Sequence, residues 1–246
     1  MTTTTMGPGK QAWSWYKAGW RLFLINPSTW VLYTLLWVLL AILLWQIPFL
    51  GRVAWWLIIP ALYAGFLFQA AEMEQGRSLA VNRFFIGLTD KTTRLPLLTL
   101  GVVTLAAYVF LDVVTMADPS LYTTIESLLR TDTSTGTTMI VINLLLRCVL
   151  LFLILTLVTM ALLYSCPAIM FAGSDAFDAM MNSIETCARH WRAFAAFLGI
   201  FIGLDIAAMI PMGLGFLVLM PVTFCAAYAS YHTLYGSALP DSNASG

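Results

Sequence analysis

The chain contains six apolar runs, each close to the length that a helix needs to cross a bilayer. They cover residues 30–47, 53–71, 95–116, 139–165, 193–210 and 213–234. A hydrocarbon core roughly 30 Å thick takes about 20 residues of α-helix. Lipid offers the backbone no water to bond to, so each run must close its own hydrogen bonds, and the helix does this within one segment. Composition agrees, with 60% of residues hydrophobic and 10% charged, whereas soluble domains average about 45–50% and about 25%. The sequence thus predicts an all-α fold, a polytopic transmembrane bundle of about six spans. It forms one integral membrane domain over 1–236, followed by a flexible tail over 237–246. No short apolar core with a small-residue cleavage site follows the polar residues 1–9, so no removable signal peptide is expected.

Lysine and arginine set the orientation. Lys10, Lys17 and Arg21 precede the first run, Arg77, Arg83, Lys91 and Arg94 separate the second from the third, and Arg189 and Arg192 precede the fifth. The alternate connections hold only Arg52 and Arg130, and Arg147 falls inside the fourth run. Basic residues are retained on the cytoplasmic side, so nine against two predicts a multi-pass inner-membrane protein with both termini cytoplasmic.

Three polar stretches, 10–24, 78–90 and 174–191, read as amphipathic helices along the cytoplasmic face. In the first, Lys10, Ser14, Lys17 and Arg21 share one stripe and Trp13, Tyr16, Trp20 and Phe23 share another. A basic face with interfacial aromatics is the composition that meets anionic headgroups. Lys10, Trp13, Lys17, Trp20 and Arg21 are therefore the expected headgroup- or partner-facing residues. The second stretch has Phe84, Phe85 and Leu88 as its apolar side. The third opens on Ser174 as N-cap with Asp175 and Asp178 in the first turn. Phe177, Met180, Met181, Ile184, Ala188 and Trp191 then keep helical spacing.

A parallel internal repeat links the ends of the chain. Spans one and two join through Ile47-Pro48-Phe49-Leu50-Gly51, and spans five and six through Ile210-Pro211-Met212-Gly213. Each second span carries an early proline, Pro60 or Pro221, and then small residues, Ala64-Gly65 or Ala226-Ala227. With Trp20-Arg21-Leu22-Phe23, Asn26-Pro27 and Tyr228-x-x-Tyr231, these turns resemble a proteobacterial family of six-span inner-membrane proteins of unknown function. More distantly, the chain is similar to the membrane domain attached to some glycerophosphodiester phosphodiesterases. The shared motifs are structural turns and small-residue contacts, so the resemblance assigns no catalytic residue.

Charge inside lipid is costly and marks candidate sites. Asp112, Arg147 and Asp205 fall within spans three, four and five, and Asn143 lies one helical turn before Arg147. They read either as a pair, Arg147 with Asp205 or Asp112, that fixes helix packing, or as a polar path for an ion or proton. Glu72 and Glu74 read as the solvated end of span two. His190 and His232 lie near the same interface without a third ligand, and Cys148, Cys166, Cys187 and Cys225 show no CxxC spacing, so neither metal nor cofactor is expected. The outer loop 117–138 contains a helix start at Asp118-Pro119-Ser120. No HExxH, phosphate loop, dinucleotide fingerprint or GxSxG occurs.

The functional expectation is a non-enzymatic integral protein: an accessory subunit, assembly factor or lipid-interacting scaffold. Its expected partners are anionic headgroups and other membrane proteins of a larger complex, with no role for nucleic acid. The alternative is a small transporter or channel built on Asp112, Arg147 and Asp205.

Overall fold

The structure is a computed structural model and describes residues 7–77, 81–116 and 135–236. The described residues form α1 (Pro8–Ile25), α2 (Pro27–Trp45), α3 (Leu50–Glu74), a 3-10 turn (Val81–Phe85), α4 (Ile86–Thr89) and α5 (Arg94–Met116). The described residues continue with α6 (Thr135–Leu163), α7 (Ser165–Ala172), α8 (Ala176–Arg189), α9 (Trp191–Met209) and α10 (Phe216–Tyr235). Among the described residues, six stretches are long and apolar enough to cross a membrane: α2, α3, Arg94–Val113 of α5, Leu145–Ala172 of α6 and α7, α9, and α10. The helix start expected at Asp118 lies outside the described residues.

Local chemistry sets the helix boundaries. The Asn26 side chain accepts the Thr29 N–H at 3.3 Å, and Pro27, which has no N–H to leave unpaired, opens α2. Asp90 accepts the Thr92 and Thr93 hydroxyls at 2.6 and 3.0 Å, which hold its carboxyl below the usual range just ahead of α5. At α8 the N-cap is Asp175 rather than the expected Ser174; its side chain makes no capping bond, while its carbonyl accepts the Ala179 N–H at 2.9 Å.

The two Ile-Pro connections share a residue of positive φ directly after the proline, but they close differently: a γ-turn at Phe49, and at Met212-Gly213 a four-residue turn in which the Leu214 N–H donates to the Pro211 carbonyl at 3.1 Å. Phe49 (φ 56°) and Met212 (φ 54°) are the non-glycine residues with positive φ among those described. At Phe49 the Leu50 N–H donates to the Pro48 carbonyl at 2.6 Å, a γ-turn of the strained, left-handed kind. Helices α3 and α10 run the same way, because Phe66 meets Phe224 and, further along both, Glu74 meets Tyr228. Both hairpin turns therefore lie toward one end of the bundle. Arg77, Arg83, Arg94, Arg189 and Arg192 lie at the other, where α3 ends and α5 and α9 begin.

Helices α3 and α10 form the centre. Half or more of each spanning window is buried, 56% and 50%, against 6–22% for the other four. Helix α3 alone packs on α2, α4, α5, α7 and α10. Around Phe66 the rings of Trp30, Tyr33, Trp37, Phe84 and Phe224 meet at centroid distances of 4.9–6.2 Å. Lipid tails are as apolar as these side chains, so close fit rather than exclusion of water holds such helices together.

Two of the amphipathic stretches bury one face against the bundle. From Val81 onward the second one folds back along α3. Phe84 is fully buried and stacks on Tyr33 at 5.4 Å, and a side chain at Gly65 or Gly87 would collide with backbone of the opposing segment. Residues 78–80 of the expected stretch lie outside the described residues. Helix α1 packs on α9 and α10 through Ala12, Trp15, Tyr16, Gly19 and Phe23. This face splits the expected aromatic stripe, since Tyr16 and Phe23 turn inward while Trp13 and Trp20 stay exposed. A Cβ on Gly19 would sit 2.6 Å from the Ala226 nitrogen and the Val222 carbonyl oxygen, so the two backbones nearly touch.

Gly19→Leu is expected to cost about 1–3 kcal/mol through overpacking. That corresponds to a fall of roughly 2–10 °C in detergent thermal stability at this chain length. Gly199→Ala, in open space on α9, should be neutral or slightly stabilising. Equal responses from the two variants would show that α1 is not docked on α10.

Candidate functional site

Once α1 has buried its small-residue face, it presents the opposite one outward. Lys10, Trp13, Lys17, Trp20 and Arg21 are all exposed, with Trp13 at 49% and Trp20 at 45%. Trp13, Tyr16, Lys17, Trp20 and Arg21 line a groove of about 370 Å³ whose far wall is Leu204 of α9 and Val222 of α10. Through Trp20, Leu204 and Val222 it continues into a second groove of about 290 Å³ along Ala208, Gly215, Val218 and Leu219. The combined channel is basic and aromatic at one end and apolar at the other. Among the described residues no carboxylate forms an ion pair with Lys10, Lys17 or Arg21.

The start of α1 meets the junction of α8 and α9. Pro8 and Gln11 line a smaller recess with Arg189, His190 and Arg192. The Arg192 guanidinium lies over the Trp191 ring at 5.5 Å, a contact that stabilises a cation at an aromatic surface. His190 Nδ1 lies 3.1 Å from the Thr186 carbonyl, and His232 lies in the last turn of α10 near Tyr228. Among the described residues no group of three or more His, Cys, Asp or Glu is arranged to hold a metal ion.

Glu72 departs from the sequence reading. It is buried, not a solvated helix end, and its two carboxylate oxygens each take one guanidinium, Arg77 and Arg83, at 2.5 Å. Arg83 belongs to the 3-10 turn, so this clasp ties the folded-back segment to the end of α3. Glu74 accepts the Tyr228 hydroxyl at 2.6 Å, which ties the same end of α3 to α10. Both carboxylates are committed to structural bonds. Sequence spacing concealed the clasp, because Arg83 reaches Glu72 only after the chain reverses.

The intramembrane charges fall in two places in the bundle. Asp112 near the end of α5 and Arg147 in α6 are half-buried on helices that pack together. Asp205 is half-buried on α9, whose main partners are α1 and α10. The side chain of Asn143 lies outside the described residues. Cys166, Cys187 and Cys225 are buried and Cys148 is exposed, and all four are free thiols. For Cys187, in α8, burial pushes the thiol up to about 12.

The groove residues Leu204, Ala208, Val218 and Val222 carry no sequence signal, since they resemble any lipid-facing aliphatics. The usable signal was the spacing Ala12, Trp15, Tyr16, Gly19, Phe23, which marks a buried face with close backbone approach.

The fold and these surfaces define a multi-pass α-helical integral membrane protein. Comparison with protein families, curated proteins and solved structures finds no match to the chain.

Glu72→Gln should cost about 1–2 kcal/mol, because two charge-assisted bonds lose their anion while the half-exposed guanidiniums regain water. Hydrogen exchange over residues 83–89 should rise with it. Glu74→Gln, which still accepts from Tyr228, should have the smaller effect, and the reverse order would remove the clasp from the account.

Proposed function

We propose that the chain is a non-enzymatic, lipid-interacting scaffold or accessory subunit of a bacterial inner membrane, with its basic end in the cytoplasm. The observation that carries this reading is the outward face of α1, where Lys10, Lys17 and Arg21 alternate with Trp13 and Trp20 and find no carboxylate among the described residues. Cations of this kind attract anionic headgroups, and indole rings settle at headgroup depth. The recess with Arg189, His190 and Arg192 extends the basic surface. The nine-to-two distribution of Lys and Arg supports a cytoplasmic position for both termini. The resemblance to six-span inner-membrane proteins supports the same location. Asp205, apart from Asp112 and Arg147 in the packing, gives the transporter reading less support than one shared cluster would.

In detergent, phosphatidylglycerol is expected to raise the melting temperature by about 2–6 °C, which corresponds to roughly 1–2 kcal/mol of preferential binding, and phosphatidylcholine much less. In liposomes the protein should dissipate neither a proton gradient nor a membrane potential. Ion flux that disappears in Asp112→Asn or Asp205→Asn would replace the scaffold with a transporter.

A further inference from the structure

The groove beside α1 has the shape and polarity of a site for one lipid molecule. Lys17 and Arg21 lie nine and five residues before Asn26, on the flank of α1 that faces Leu204 and Val222. From these cations the channel leads past Trp20, Leu204 and Val222 to Ala208, Gly215 and Val218, beside the turn between α9 and α10 at the other end of the hairpin. A free anion would use only the first part of this path. A phospholipid would use all of it.

Resting on the scaffold reading above, we propose that this groove binds a single anionic phospholipid, its phosphate between Lys17 and Arg21 and one acyl chain along Leu204, Ala208 and Val218. Charge complementarity selects the headgroup, because the two cations lack a carboxylate partner among the described residues. Trp13 and Trp20, both half-exposed at the rim, flank the glycerol region where indole rings prefer to lie. The occupant also bridges the chain's two ends, since one wall is the N-terminal helix and the other the C-terminal hairpin.

Native mass spectrometry of the full chain, released from micelles supplied with equimolar phosphatidylglycerol and phosphatidylcholine, tests this directly. One phosphatidylglycerol adduct per chain is expected to outlast the rest. Lys17→Gln with Arg21→Gln should weaken its retention by at least about 10-fold, the loss of at least one charge-assisted contact. Lys91→Gln, an exposed cation just ahead of α5 and outside the groove, should leave it unchanged. Leu204→Trp, which fills the apolar path and leaves both cations in place, should also lose the adduct. Equal adducts in the wild type and the Lys17/Arg21 double variant would overturn the site. So would retention in Leu204→Trp with displacement by millimolar inorganic phosphate, which marks a free-anion patch. A phosphatidylglycerol-induced rise in melting temperature that survives the double variant would sink the groove and leave the scaffold reading standing. Ion flux in liposomes alongside a groove-specific adduct would do the opposite.

Discussion

Close approach of backbone to backbone is the interaction on which the bundle depends. Gly19 lets α1 settle against Val222 and Ala226 of α10, and Gly65 and Gly87 let the folded-back segment settle against α3. Within lipid there is little hydrophobic gain in bringing two apolar helices together, so association depends on dispersion and fit, which small residues maximise. The two central helices share this arrangement. Each has an early proline, then small residues, and each receives an amphipathic element on its small-residue surface: α3 takes residues 81–89 and α10 takes α1.

The docking of α1 governs the rest of the functional surface. The helix precedes the first hairpin in sequence yet packs on the second, so the N-terminus closes the molecule against its own C-terminal pair. With Ala12, Trp15, Tyr16, Gly19 and Phe23 inside, the cations and the remaining tryptophans have only the outward side. The groove is a by-product of that geometry. Glycine brings α1 close to α10 at one level, and the bulkier Trp13 and Trp20 hold a gap open on the flank beside Leu204.

At the basic end, polar bonds do what small residues do within the apolar layer. Glu72 gathers Arg77 and Arg83, and Glu74 receives Tyr228, so the end of α3 is joined to the folded-back segment and to α10. A buried carboxylate is tolerable only when its lone pairs are satisfied. Both Glu72 oxygens are, which explains how an acid sits at a nearly closed position in so apolar a chain.

The sequence by itself determined the number of spans and the helical class, because lipid leaves a 20-residue apolar run one way to satisfy its backbone. It also marked the hairpins, where Ile-Pro followed by glycine recurs, and the residues of α1 that stay exposed: Lys10, Trp13, Lys17, Trp20 and Arg21. Helical periodicity did not reveal that α1 has two apolar faces, one of aromatics with small residues and one of aromatics with cations, and the first of these is the buried one. Nor did it show residues 81–89 returning along α3, because Phe84, Phe85 and Leu88 have the same spacing whether they face lipid or Tyr33 and Phe66. Tertiary structure alone decided the Glu72 clasp and the groove beside Leu204 and Val222. Both join residues distant in the chain, and pattern along one helix records which side is apolar but not which neighbour covers it.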